Sequence, residues 1–492
     1  MNPATAPTQT RLLPNYVAGC WTDATGDEAL DVIDPATGEA LARVPLSSWA
    51  DLDAAVRAAR AALPAWREVS VPERARRMFA LREGLEARRE ELAASVSAEM
   101  GKTPADARAE VGRMIEMVEL ACAVPTTMQG RVLEDVAHNV DCETVRQPVG
   151  VCAAIVPFNF PAMVPFWFLP FAIACGNTFV LKPSEQVPLT QQIAFEVLDG
   201  LLLPPGVVNL VNGGREIVEG ILDHPGIDAV SFVGSAPVAR LVYERAARAG
   251  KRVQALGGAK NAMVVMPDAV IDETVKGIIG SAFGAAGQRC MAGSVLVTVG
   301  EAHDWVMPPL RKATAALGPD EVGHLISAGA RSRVREWIDH GLSDGADAAV
   351  DGREEGDDGY VGATILEDVT AEMAVARKEI FGPVLSVIHV DTLEDAIATI
   401  NESAFGNGTS IFTESGAAVR RFRRDVEVGM IGVNIGVAAP VAFFPFSGWK
   451  DSFLGDLHAH GPDAVEFYTR KKTVTSRFFS SGQAQGRYFV ED

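Results

Sequence analysis

The sequence predicts an α/β protein built on a parallel sheet, and three observations carry that reading. From Gly150 onward, short β-branched runs alternate with longer helical ones, the pattern of strands joined by crossover helices. A second stretch of the same kind begins near Ala262. At 492 residues the chain exceeds what one hydrophobic core normally organises, so two or three domains are expected.

Taken in order, residues 1–13 read as disordered, with a polar, Pro/Thr-rich start. Asn15 to Val44 reads as short strands and turns, with Asp34-Pro-Ala-Thr-Gly38 as the clearest turn. Helices are expected over Asp51–Leu63, Pro72–Met100 and Pro104–Cys122; proline suits a helix start, where its missing N–H costs nothing. The Ala/Glu/Arg-rich part from Glu73 to Glu99 is most simply a solvated amphipathic helix. Strands follow at Val151–Val156, Thr178–Leu181, Val207–Leu210 and Ala229–Val233, with helices near Ala162–Ala174, Leu189–Leu202 and Glu216–Leu222. The second α/β region gives a strand at Ala262–Met266, a helix at Asp272–Ala285 and a strand at Val295–Val299, with similar runs to about Asn434. The acidic, Gly-rich tract Asp351–Gly359 is expected to be an exposed loop. Val465–Thr475 reads as an edge strand seeking a partner, which points to an oligomer.

Composition removes several classes of function. A formal net charge of −20, with no basic patch interleaved with aromatics, argues against nucleic acid as a partner. The most apolar stretch, Phe158 to Cys175, is too short for a membrane span and is cut by Pro161, Pro165 and Pro170. Six scattered cysteines without a CxxC pair fit a reducing cytoplasm, and the polar N-terminus has no secretory h-region. His458 and His460 form a His-x-His pair, but one such pair without further ligands is weak support for a metal, and none is expected.

Chemistry concentrates in Phe283-Gly-Ala-Ala-Gly-Gln-Arg-Cys-Met-Ala292. Small residues before Cys290 allow a substrate and a cofactor to approach the backbone. Arg289, if close to the sulfur, favours the thiolate, the form that attacks. The competing reading is a buried structural cysteine. Gly234 and Ser235 end a strand and open a helix whose N–H groups suit a pyrophosphate, although no G-x-G-x-x-G is present and a plain turn is the alternative.

In motif and in order, the chain resembles the NAD(P)-dependent aldehyde dehydrogenase superfamily. Pro157-Phe-Asn-Phe-Pro161, Leu181-Lys-Pro-Ser-Glu185, Phe232-Val-Gly-Ser235, the Cys290 stretch and Lys378-Glu-Ile-Phe-Gly-Pro383 carry the resemblance. It implies a Rossmann-type cofactor domain (14–124 and 148–256), an α/β catalytic domain (257–455) and a small β oligomerisation arm (125–147 and 463–480). It also implies Cys290 as the nucleophile and Asn159 as an oxyanion donor. NAD would be bound by Phe158, Lys182, Glu185, Gly234, Ser235, Glu379 and Phe381. Within the superfamily the pattern is most similar to the acylating, coenzyme A-dependent branch that oxidises methylmalonate semialdehyde. That branch implies Arg113 and Arg289 as partners of a substrate carboxylate, coenzyme A as co-substrate, acetyl- or propanoyl-coenzyme A as product, and a dimer or tetramer.

One absence bears on how a Cys290 thioester is released. Hydrolytic members carry a glutamate in Glu-Leu-Gly-Gly as the base for water, and here Val253-Gln-Ala-Leu-Gly-Gly258 puts Ala255 in its place. Unassisted water is a poor nucleophile, whereas a thiol is already partly ionised near neutrality. Release by coenzyme A is therefore expected. The alternatives are a hydrolytic enzyme using another base and a non-catalytic nucleotide-binding scaffold.

Overall fold

The computed structural model describes residues 10–353 and 360–479. Its largest sheet has eight strands, and its centre is parallel. Val151–Ile155 lies in the middle, with Thr178–Lys182 and Val208–Leu210 to one side and Ala229–Val233 and Arg252–Leu256 to the other. This is the doubly wound arrangement in which the order of strand addition reverses beside the first strand. Every residue of Val151–Ile155 is buried, as expected for a strand covered on both faces. Successive residues serve opposite cores. Cys152 and Ala154 pack with the helices Val71–Ala87, Pro104–Cys122 and Leu189–Asp199, while Val151, Ala153 and Ile155 pack with Trp49–Glu68, Arg215–Asp223 and Ala236–Arg248.

A second sheet of seven strands is built from residues between Asn261 and Val433. Asn261–Val265 sits between Gly293–Val299 and Gly408–Phe412, parallel to both. The remaining long sheet has three strands, with Arg131–Ala137 and Thr469–Arg477 flanking Val140–Pro148. Thr469–Arg477 is one of its edges, as the edge-strand expectation required.

The structure corrects several boundaries. Residues 1–9 lie outside the described residues, and of the remainder of the segment expected to be disordered, Leu13 is buried and Leu12 bridges to Arg43. The single helix expected over 72–100 is two, Val71–Ala87 and Arg89–Met100. They break at Arg88, whose guanidinium binds Glu91, Glu196 and the carbonyl of Ile193, with no Gly or Pro to signal the corner. The helix expected over 162–174 is two short turns, Met163–Phe166 and Leu169–Ala174, the second carrying Pro170 at its start. Residues 465–467 end the helix Gly461–Phe467 rather than begin a strand. Of the acidic tract, 354–359 lie outside the described residues, and Gly352 is buried. Among the described residues no helix is long and apolar enough to cross a membrane.

Candidate active site

Cys290 lies between the helix Ile271–Ala282 and the strand Gly293–Val299, where the second sheet faces the C-terminal strand ends of the first. The chain reaches it through the turn Gly284–Gly287, in which Ala285 (φ 52°, ψ 38°) and Ala286 (φ 52°, ψ 33°) adopt the left-handed conformation that L-residues avoid. Gly287 follows at φ 68°, and a Cβ there would run into the carbonyl of Gly382. The turn is thus seated against the segment carrying Phe381, itself at φ 58°. Strain gathered at one point motivates a functional reading. The Cys290 carbonyl accepts hydrogen bonds from Asn261 Nδ2 and Asn407 Nδ2, each at 2.8 Å. Asn159, buried, donates from Nδ2 to the carbonyl of Gln288 at 3.0 Å, two residues from Cys290.

A cleft of about 560 Å³ opens on one side of Cys290, beyond the carboxyl ends of Val151–Ile155 and Ala229–Val233. This is the switch point at which doubly wound sheets bind ligands. Phe158, Asn159, Glu185, Gly234, Ser235, Glu379 and Phe381 all line it. Lys182 stands behind Glu185, with its ammonium donating to the carboxylate at 2.7 Å. Ser235 precedes the helix Ala236–Arg248 and makes no side-chain cap bond, which leaves first-turn N–H groups free for an anion. The rings of Phe158 and Phe381 meet edge-on with centroids 5.9 Å apart. Glu379 accepts the Ala259 N–H at 3.0 Å. Burial pushes its carboxyl above the ordinary range, against the pull of that N–H and of Lys260 and Arg333. A helix N-terminus, a lysine–glutamate pair and small residues at Gly234 and Gly257 fit a dinucleotide.

On the other side of Cys290 is a cavity of about 290 Å³ walled by Phe160, Trp167 and Phe446. Arg113 and Arg289 both reach it, although they are far apart in sequence. Arg113 Nη1 binds Glu116 at 2.6 Å; Arg289 binds Asp106 at 2.8 Å and the Gly280 carbonyl at 3.2 Å. Cys290 is the one described residue that lines both cleft and cavity.

The Cys290 thiol is pushed up to about 12, first by burial and then by the negative charge of Glu379; its own N–H, that of Met291 and the Lys102 ammonium pull the other way. The expectation that Arg289 favours the thiolate is corrected here. Its guanidinium faces Asp106, which offsets its charge. Ala255 is buried in the strand Arg252–Leu256 and offers no base. The carboxylates that do line cleft and cavity each accept a hydrogen bond: Asp106 from Arg289, Glu110 from Lys102, Glu185 from Lys182 and Glu379 from Ala259. His458 and His460 do not converge. His458 lies 3.1 Å from Asp463, while His460 is buried with its ring 5.4 Å from that of Trp167.

Residues 21–474 match the aldehyde dehydrogenase family profile, and the chain belongs to that family. Among its relatives, malonate-semialdehyde dehydrogenase 1 of Geobacillus kaustophilus is 49% identical over 480 residues, covering 96% of this chain and 98% of the relative. Malonate-semialdehyde dehydrogenase 2 of Geobacillus thermodenitrificans is 50% identical over 481 residues, covering 96% and 100%. The solved methylmalonate-semialdehyde dehydrogenase of Oceanimonas doudoroffii superposes with a TM-score of 0.94 at 42% identity, covering 96% of this chain and 99% of that one. A Sinorhizobium meliloti protein described as a candidate methylmalonate-semialdehyde dehydrogenase, solved in complex with NAD, gives 0.94 at 41% identity over the same shares.

Sequence reasoning missed the parts of the site made by single side chains from distant elements. Asn261 and the Lys102–Glu110 pair had no local signal. Asn407 opens an Asn-Gly-Thr-Ser run, and nothing local to that run announces its hydrogen bond to the Cys290 carbonyl.

Proposed function

We propose that this chain oxidises a small carboxylate-bearing semialdehyde, malonate or methylmalonate semialdehyde, through a thioester on Cys290 that the thiol of coenzyme A releases. The single observation that carries the reading is the position of Cys290 where the two cavities meet, with Ala255 buried in its strand where hydrolytic members carry their glutamate. The names of the relatives point the same way.

The cavity holds the aldehyde, with Arg113 and Arg289 turned to its carboxylate. Each guanidinium has five N–H donors and spends only one or two on its present partners. Attack by the Cys290 thiolate forms a C–S bond and turns the carbonyl oxygen into an oxyanion. The second N–H of the Asn159 amide and the Cys290 backbone N–H receive that charge. Bound NAD supplies the hydride acceptor. Lys182, Glu185, the first turn after Ser235, Glu379, Phe158 and Phe381 hold it. Loss of hydride leaves the thioester on Cys290. The substrate carboxylate departs as CO2, which hydrates to bicarbonate, the α-carbon takes up a proton from solvent in its place, and the coenzyme A thiol, giving up its proton, takes the acyl group while Cys290 leaves as thiolate. The products are acetyl- or propanoyl-coenzyme A and NADH.

In this reading 14–124 and 148–256 form the cofactor domain and 257–455 the catalytic domain. The segments 125–147 and 463–480 form an arm whose edge strand Thr469–Arg477 pairs with a second copy in a dimer or tetramer. Six free cysteines suit a reducing cytoplasm.

The test is product identity. With NAD, malonate semialdehyde and coenzyme A, acetyl-coenzyme A is expected; free carboxylic acid formed at the same rate with or without coenzyme A would favour the hydrolytic alternative. Ala255→Glu is expected to raise acid formation.

A further inference from the structure

Cys290 must ionise to attack, yet burial and Glu379 both oppose its negative charge. Three cations line the cavity beside it: Lys102, Arg113 and Arg289. They differ in how far their charge reaches. The Arg113 side chain is 38% exposed and bound to Glu116, so water screens it. That of Arg289 is 16% exposed and faces Asp106, which offsets it at close range.

Lys102 is different. Its side chain and that of Glu110 are each 1% exposed, with Nζ to Oε2 at 2.5 Å. In such surroundings a charge is felt over a longer distance than at the surface. Its ammonium sits 3.7 Å above the centre of the Phe160 ring, which fixes it from below. Glu110 shares its charge with the backbone N–H groups of Ala162 at 2.8 Å and Met163 at 3.1 Å, as Asp106 does with that of Ala285 at 3.1 Å, so the two pairs differ chiefly in that water reaches Arg289 and Asp106 but not Lys102 and Glu110. The Ala162 and Met163 donors draw the Glu110 carboxylate's charge toward the segment that follows Asn159. The histidine on this wall, His460, is held neutral by burial, its pKa lowered to about 4, while Asp106 faces Arg289.

We propose that Lys102 is the positioning residue that favours the thiolate of Cys290, clamped by Glu110 and Phe160, while the same Glu110 anchors the backbone behind Asn159. The role expected of Arg289 thus falls to a residue far from the cysteine in sequence. The proposal rests on Cys290 being the nucleophile and is independent of how the thioester is released.

It is tested on the full chain without cofactor by the rate at which iodoacetamide alkylates Cys290, followed on the peptide that carries it. In the wild type the thiolate fraction grows with pH toward its high pKa, so the rate climbs about tenfold per pH unit with no plateau below about pH 10. Lys102→Met is expected to slow alkylation about tenfold at each pH, the equivalent of one further pKa unit, with Lys102→Arg within about threefold of wild type. Burial disfavours the Lys102 ammonium and Glu110 sustains it, so the charge is tested at Lys102 itself. A purely structural role predicts instead that Lys102→Arg, which keeps the charge but not the packing over Phe160, slows the reaction as much as Lys102→Met. That result, or a Lys102→Met rate equal to wild type, overturns the proposal. Should Lys102→Met fail to fold, Lys102→Gln decides: a rate about tenfold below that of Lys102→Arg supports the proposal, and an equal rate refutes it. Alkylation reads the thiolate alone, so failure here leaves the product test of the acylating reading untouched.

Discussion

The two spaces that meet at Cys290 are built in opposite ways. The cleft is made of backbone and short contiguous segments: the turn after Val151–Ile155, the end of Thr178–Lys182, the Gly234-Ser235 helix start and the stretch around Glu379. The cavity is made of side chains from elements distant in sequence, with Lys102 and Arg113 from before the strand Val151–Ile155 and Phe446 and His460 from near the end of the chain. A site of the first kind tolerates side-chain change as long as the turns survive. One of the second kind can change its substrate by single substitutions while the fold stays as it is.

This contrast predicts that variants separate by side, and that the largest loss falls at the junction. Asn159→Ala removes the donor proposed for the oxyanion of every substrate, so kcat should fall about 10²–10³-fold with little change in KM for either NAD or aldehyde. On the cavity side, Arg113→Leu should cut kcat/KM for malonate semialdehyde about tenfold to hundredfold, the worth of a charged hydrogen bond, and leave propanal nearly unaffected. Equal losses for both aldehydes would reduce Arg113 to a packing residue. On the cleft side, Lys182→Ala frees Glu185 and should raise KM for NAD about tenfold without moving KM for the aldehyde. A Lys182 variant that altered aldehyde specificity, or an Arg113 variant that altered NAD affinity, would break the separation.

The same contrast explains what was legible in the sequence. Phe158, Asn159, Glu185, Gly234, Ser235, Glu379 and Phe381 line one cleft as expected, because each belongs to a strand end or turn that leaves a local pattern. Arg113 and Arg289 reach one cavity, but their acidic partners Glu116 and Asp106 were not foreseen, and Asp106 takes the Arg289 guanidinium that was expected beside the thiolate. The Lys102–Glu110 pair lies eight positions apart and is brought over Phe160 only by the packing of three segments, which no periodicity announces. The break at Arg88 was illegible for a related reason. Arg88 reaches across to Glu196 and the Ile193 carbonyl, more than a hundred residues away, with nothing helix-breaking in the local sequence.

In the proposed reaction the thioester on Cys290 waits for a thiol because Ala255 holds the place of the glutamate that hydrolytic members use as a base. The most direct measurement mixes the protein rapidly with NAD and malonate semialdehyde and follows NADH absorbance, first without and then with coenzyme A. Thiol release predicts a burst of no more than one NADH per Cys290, then a near-halt, with turnover resuming when coenzyme A is added. Steady NADH formation over many turnovers before any thiol is present would contradict it.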